Sequence, residues 1–241
     1  MKKIIRNIIP TIKLYRSLKY LSKFKQNILA ARASGDFEKE RHYILKSTSV
    51  WGKHVVNMFN INLNVEGEEN IPQSGPVVFV ANHQSFADIP VACALLTNFQ
   101  FAFVAKRSVE QVPLYGKWIK LIRSVYIDRE SARASMRAID EGIDLINNGF
   151  SLLIFPEGER SRCSNMNEFK KGSLRLATKP GVPVVPITID GAYHVFEEFG
   201  YVQQNVPIKV VIHPAIETKD LAKSEANNLS AEVQKIILTG F

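Results

Sequence analysis

Residues 77–83 read VVFVANH and residues 151–158 read SLLIFPEG. Each is a short apolar run that stops at residues able to do chemistry, Asn82-His83 in the first and Glu157-Gly158 in the second. Runs of this kind become strands buried on both faces. Outward from them, the same texture recurs at residues 101–106 (FAFVAK), 124–129 (SVYIDR), 182–190 (VPVVPITID) and 207–214 (PIKVVIHP). Residues 61–72 (INLNVEGEENIP) read as a strand followed by a turn at Gly67 and Pro72. Helical patterns lie between, at residues 89–96, 114–121, 132–147 and 172–178, with a closing helix over 230–238. This alternation predicts an α/β fold, a mixed central sheet flanked by helices.

The composition fits that fold. A hydrophobic share of 46% and a charged share of 22% suit a chain of 241 residues with a sizeable core and no extended disorder. Cys93 and Cys163 make neither a disulfide framework nor a metal-ligand spacing, which suits a reducing compartment. Cys93 sits among apolar residues, a core position; Cys163 lies in a polar stretch.

The net charge of +8 suits nucleic acid, anionic lipid or an acidic partner. Its distribution discriminates. Residues 1–25 carry Lys2, Lys3, Arg6, Lys13, Arg16, Lys19, Lys23 and Lys25 and no acid. Ile4, Ile8, Ile12 and Tyr15 follow one helical track, with Ile5, Ile9 and Leu18 beside it. The cations interrupt too often for a spanning helix or a signal peptide. The pattern predicts a basic amphipathic element, split by Pro10 into two short helices, that lies on an anionic membrane surface. The bland alternative is a helix docked on the fold with an ordinary solvated face. Residues 1–60 are read as this helical, basic region and residues 61–241 as the α/β domain.

Strand ends are where open α/β sheets place their sites. His83 follows a buried strand, and Asp88 is near enough in sequence to return a carboxylate to one ring nitrogen. Asp88 is equally placed to cap the helix that begins at Ile89-Pro90. Lys106 and Arg129 each close an apolar run and suit a phosphate. Glu157 and Gly158 follow another strand, and Arg160 adds a third cation. Residues 169–172 (FKKG) open the next helical pattern, whose N-terminal amides would favour an anion. The prolines of residues 182–186 suit a strand margin.

In this order, these segments resemble the glycerolipid acyltransferase family, in particular the bacterial 1-acyl-sn-glycerol-3-phosphate acyltransferases. The blocks are Asn82-His83 with Asp88, residues 125–129 (VYIDR), residues 155–158 (FPEG) and residues 182–186 (VPVVP). The likeness runs over roughly residues 65–214. The third block usually continues Thr-Arg-Ser, and here Glu159 replaces the threonine, a carboxylate beside the expected phosphate site unless its side chain points away.

The resemblance implies transfer of a fatty acyl group from acyl-carrier protein or acyl-CoA to the sn-2 hydroxyl of lysophosphatidic acid. The product would be phosphatidic acid, a step of phospholipid biosynthesis at the cytoplasmic face of the cell membrane. His83 would be the base and Asp88 its orienting partner. Lys106, Arg129 and Arg160 would hold the phosphate, Glu157 would position the glycerol, and the Gly158 amide would face the oxyanion. Transfer would be direct, although Ser85 sits within the first block. No metal or organic cofactor and no nucleic acid is implied. Rival readings are an acyltransferase for another lysophospholipid or for glycerol-3-phosphate, a lipid esterase (no Gly-x-Ser-x-Gly elbow is present), and a non-catalytic membrane-binding protein.

Overall fold

The structure, a computed structural model, describes residues 2–128 and 131–241. Seven strands form one mixed sheet: β1 (Asn62–Glu66), β2 (Val78–Ala81), β3 (Ala102–Lys106), β4 (Val125–Ile127), β5 (Leu152–Ile154), β6 (Val184–Asp190) and β7 (Pro207–Ile212). Their order is β1-β7-β6-β2-β5-β3-β4. Every neighbouring pair is parallel except β6 and β7. All six apolar runs, and the strand read before Gly67, therefore became strands.

Side chains alternate across the sheet with the strand period of two. In β2, Val78 and Val80 join a core with Leu152, Ile154, Leu229 and Val233 on one face. Phe79 and Ala81 join the larger core on the other, with Phe101, Phe103, Val185 and Ile208. Polar residues would be stranded on either face, which is why the central strands carry so few.

The helices are α1 (Lys2–Tyr20), α2 (Ser22–Ala33), α3 (Phe37–Met58), α4 (Asp88–Leu95), α5 (Tyr115–Leu121), α6 (Ala132–Asn147), α7 (Arg175–Thr178) and α8 (Lys223–Leu238). Residues from α1, α2 and α3, including Leu18, Phe24, Ile28, Ile44 and Trp51, belong to the same core as the sheet. Gly52 lets α3 approach α4. A Cβ there would come within 2.3 Å of the Ala94 backbone nitrogen.

Three expectations are corrected here. Pro10 does not split the N-terminal element; α1 runs across it, and the chain turns at Leu21 instead. A proline inside a helix deprives the carbonyl four residues earlier of its donor, and side-chain contacts hold the turn around it. The Arg6 guanidinium lies 3.7 Å from the Tyr201 ring centre. The Asn7 amide donates to Gly200 O and accepts from Val202 N–H, at 2.9 and 3.1 Å.

The FKKG stretch lies ahead of α7, which has only four residues, so it opens no helix that could bind an anion. Pro186 sits within an interior strand, not at its margin. Its carbonyl accepts from His213 N–H on the β7 side. The missing donor falls on that same side, opposite His213, so this pair shares one hydrogen bond in place of two at the point where the Ile187–Asp190 pairing with β7 ends.

Candidate active site

The chain leaves β2 between β5 and β6, which lie on opposite sides of it. The connection leaving β2 runs to β3 on one side, while the one leaving its neighbour β6 runs to β7 on the other, so a crevice opens beyond these strand ends. Residues 82–88 fill its floor. The Asn82 side chain extends the ladder past Ala81: its amide donates to Ile189 O at 2.8 Å, and its oxygen accepts from Ile189 N–H at 2.7 Å. Gln84 does similar work, donating to Asp190 at 3.3 Å and accepting from Ala192 N–H at 3.1 Å. The loop is thus tied to β6 by side chains standing in for backbone.

That anchorage sets His83. Its Nδ1 lies 2.7 Å from Asp88 Oδ2, which also accepts from Ser85 N–H at 2.8 Å. Asp88 is fully buried, while the His83 side chain keeps 18% exposure. The alternative role for Asp88 gives way: no side chain caps the start of α4, and the carboxylate turns back to the loop. Pro90 occupies the first turn of α4, where its missing N–H costs nothing. Burial pushes the Asp88 carboxyl above its ordinary range, with the His83 hydrogen bond pulling the other way. With Nδ1–H directed at Asp88, Nε2 carries the free lone pair. The Phe155 ring stacks on the imidazole at 4.2 Å and 19°.

Glu157 supports the same histidine from β5. One carboxylate oxygen accepts from His83 N–H, the other from Asn167 N–H at 2.7 Å, and the residue is 1% exposed. Burial raises its pKa, and the two backbone donors oppose the rise. The expectation that Glu157 positions the glycerol is corrected: both carboxylate oxygens are engaged by backbone donors, and the residue stands behind the histidine, where it holds the His83 backbone. The Gly158 expectation is corrected: its amide closes a turn onto Phe155 O at 3.0 Å, so it is already engaged and is not directed at an oxyanion. Gly158 has φ +80°, which glycine adopts freely, and it lines a cavity beside Phe155.

The cations are not gathered equally. Arg160 reaches the loop, bonding Glu197 at 2.6 Å with its guanidinium carbon 3.5 Å from the Phe86 ring centre. Lys106 is exposed at the end of β3, in register with Ile127. Arg129 lies outside the described residues. Glu159 is exposed, so burial does not confine its charge at the site.

Glu197, which sequence reasoning missed, is the main addition. No motif or period marks it, and its partner Ser85 is 112 residues away. Ser85 is fully buried and donates its hydroxyl proton to Glu197.

Two cavities flank this floor. One, of about 400 Å³, is lined by Phe155, Gly158, Ala105 and Ile127 together with Lys170, Lys171 and Arg175. The other, of about 480 Å³, lies under α1 and is almost wholly apolar, lined by Pro10, Leu14, Trp51, Phe86, Ala87 and Tyr115.

Fold and site together define an α/β protein with a His–Asp pair at the sheet's switch point and an apolar cavity beside it. The family model "Acyltransferase" matches residues 62–190, and the chain belongs to that family. It is 32% identical over 203 residues to a chloroplast 1-acyl-sn-glycerol-3-phosphate acyltransferase of Brassica napus, covering 83% of this chain and 57% of that protein. A protein of the same description from Borreliella burgdorferi is 28% identical over 178 residues, 74% of this chain and 71% of its own. The chain thus spans little more than half the length of the plant relative. The crystal structure of PlsC from Thermotoga maritima, a 1-acyl-sn-glycerophosphate (LPA) acyltransferase, matches with a TM-score of 0.74 and 28% identity. That match covers 100% of this chain and 96% of the PlsC chain.

Proposed function

We propose that this protein is a 1-acyl-sn-glycerol-3-phosphate O-acyltransferase that moves a fatty acyl group from a thioester, on acyl-carrier protein or coenzyme A, to the sn-2 hydroxyl of lysophosphatidic acid. The observation that carries this reading is the His83–Asp88 pair at 2.7 Å, on a loop pinned from both neighbouring strands. Family membership supplies the reaction class.

In this reading, His83 Nε2 takes the proton of the acceptor hydroxyl as that oxygen attacks the thioester carbonyl. Asp88 holds the ring in the required tautomer and stabilises the imidazolium that forms. Collapse of the tetrahedral intermediate expels the thiolate, and His83 returns the proton to it. Ser85 makes no covalent intermediate, because its hydroxyl is buried and engaged. Arg160, Lys106 and Arg129 bind the acceptor phosphate, Glu157 keeps His83 in place, and the apolar cavity under α1 takes an acyl chain.

The protein works at an anionic membrane surface, on its cytoplasmic face. Ile4, Ile5 and Ile9 are 71%, 61% and 65% exposed on a helix rich in cations, an arrangement suited to the interface plane. No helix among the described residues is long and apolar enough to cross a membrane.

The test is acyl transfer from an acyl thioester to lysophosphatidic acid on anionic vesicles. Diacyl product from wild type is expected, together with loss of product in a folded His83→Ala variant. Free fatty acid as the only product, or undiminished transfer by the variant, would overturn the reading.

A further inference from the structure

We infer that Glu197 is a positioning residue for the transfer reaction: it clamps Arg160 to the loop that carries His83, so that the phosphate-binding cation and the base hold one fixed relation. This rests on the acyltransferase reading above.

The Glu197 side chain is 3% exposed, and both oxygens are in use. One accepts from Arg160 Nη1 at 2.6 Å and from Phe86 N–H at 3.1 Å. The other accepts from the Ser85 hydroxyl, whose own oxygen accepts from Ala87 N–H at 3.0 Å. A buried carboxylate without such donors would be costly; with three, it is held in a single orientation. The chain of contacts then runs directly to the base. Ser85 N–H donates to Asp88 Oδ2, and that oxygen also binds His83 Nδ1.

The same carboxylate governs what Arg160 can do. Its Nη1 edge is committed to Glu197, and its planar face lies over Phe86. Phe86 and Ala87 in turn wall the apolar cavity under α1. Guanidinium and cavity wall are therefore fixed to one another, and the remaining donors of Arg160 are left for a phosphate. An acceptor whose phosphate meets Arg160 then has its glycerol hydroxyl set relative to His83. Glu197 touches no substrate in this scheme and acts through Arg160 and the loop.

The experiment is a double-mutant cycle of Glu197→Gln and Arg160→Ala. KM for lysophosphatidic acid and kcat are measured on anionic vesicles, with thermal unfolding of each variant in parallel. Glutamine keeps the size of the side chain and removes its charge. Glu197→Gln should raise KM for the acceptor about tenfold, the scale of one charge-assisted hydrogen bond, with a smaller change in kcat. In that background Arg160→Ala should add little, because Arg160 has already lost its fixed direction. Glu197→Asp, which keeps the charge on a shorter stem, should recover part of the lost affinity.

Additive effects on KM, or a loss confined to melting temperature, would overturn the clamp and leave Glu197 as fold support. If Glu197→Gln does not fold, Glu197→Asp combined with Arg160→Ala completes the same cycle, with the same non-additivity expected. Wild type that is inactive on lysophosphatidic acid would instead sink the functional reading, so the two failures are separable.

Discussion

The loop at residues 82–88 and helix α1 break the usual sorting of residues in opposite directions. In the loop, Asn82, Gln84, Ser85 and Asp88 are polar and essentially inaccessible. In α1, the isoleucines at positions 4, 5, 8, 9 and 12 are apolar and open to solvent. The loop resolves most of its conflict internally: each of these buried side chains has hydrogen-bond partners within the chain, and of their buried polar atoms Asp88 Oδ1 is left without one among the described residues. Such bonds are directional, and they fix atoms to a few tenths of an ångström, as proton transfer requires. Helix α1 has no internal solution for its outer face. What it lacks is an apolar environment, and the proposed membrane surface provides one.

The contrast can be broken most sharply at His83. His83→Ala should reduce kcat by about 10²–10⁴ while vesicle binding stays close to wild type and the variant remains folded, with some loss of melting temperature because buried Asp88 loses its partner. A comparable loss in an unfolded variant would place His83 in the scaffold instead. A buried polar cluster remote from the site gives the next effect. Glu40 is fully buried and bonded by Arg32 and, in a bidentate pair, by Nε and Nη2 of Arg123. Removing it strands two guanidinium groups, each able to reach some solvent, so Glu40→Ala should cost about 3 kcal/mol in denaturant unfolding. KM should not move if this cluster is scaffold alone.

Replacing both Ile5 and Ile9 by glutamate should weaken binding to anionic vesicles by at least about tenfold. Their present exposure means the fold should not notice, and vesicle flotation with thermal unfolding separates the two. Equal flotation would return α1 to the bland role of a docked, solvated helix.

The smallest effect is a slope against pH. Burial raises the Asp88 pKa above its unfolded value, so the folded chain keeps that proton to higher pH than the unfolded chain does. The stability it contributes is complete below the unfolded pKa and is lost as pH rises through the folded one. Asp88→Asn has no proton to lose there. Its stability relative to wild type should therefore improve as pH rises from about 4 towards neutrality, even though activity falls. The opposite slope in denaturant titrations would mean that pairing with His83 outweighs desolvation.

Much of the fold was legible because it depends on neighbours in sequence. Apolar runs with turn residues at their ends became strands, and the helix over Ala132–Asn147 emerged with the expected limits. The His83–Asp88 pair was legible too, since a short turn suffices to bring the two together. Other features were not. Pro10 reads as a helix break, yet distant contacts from Tyr201, Gly200 and Val202 hold the helix through it. The Gly158 amide reads as a free donor, yet the turn that exposes the glycine also occupies its N–H.

The sequence by itself determined which segments are strands, which histidine has a nearby carboxylate, and where the positive charge lies. Those properties follow from composition, period and short-range spacing. Only the tertiary structure decided that Arg160 is shared with Glu197, that Ser85 is locked, that Glu157 stands behind the histidine, and that α1 turns its isoleucines outward. Each depends on side chains brought together from remote positions, and a hydrogen bond spanning 112 residues leaves no local pattern in the chain that forms it.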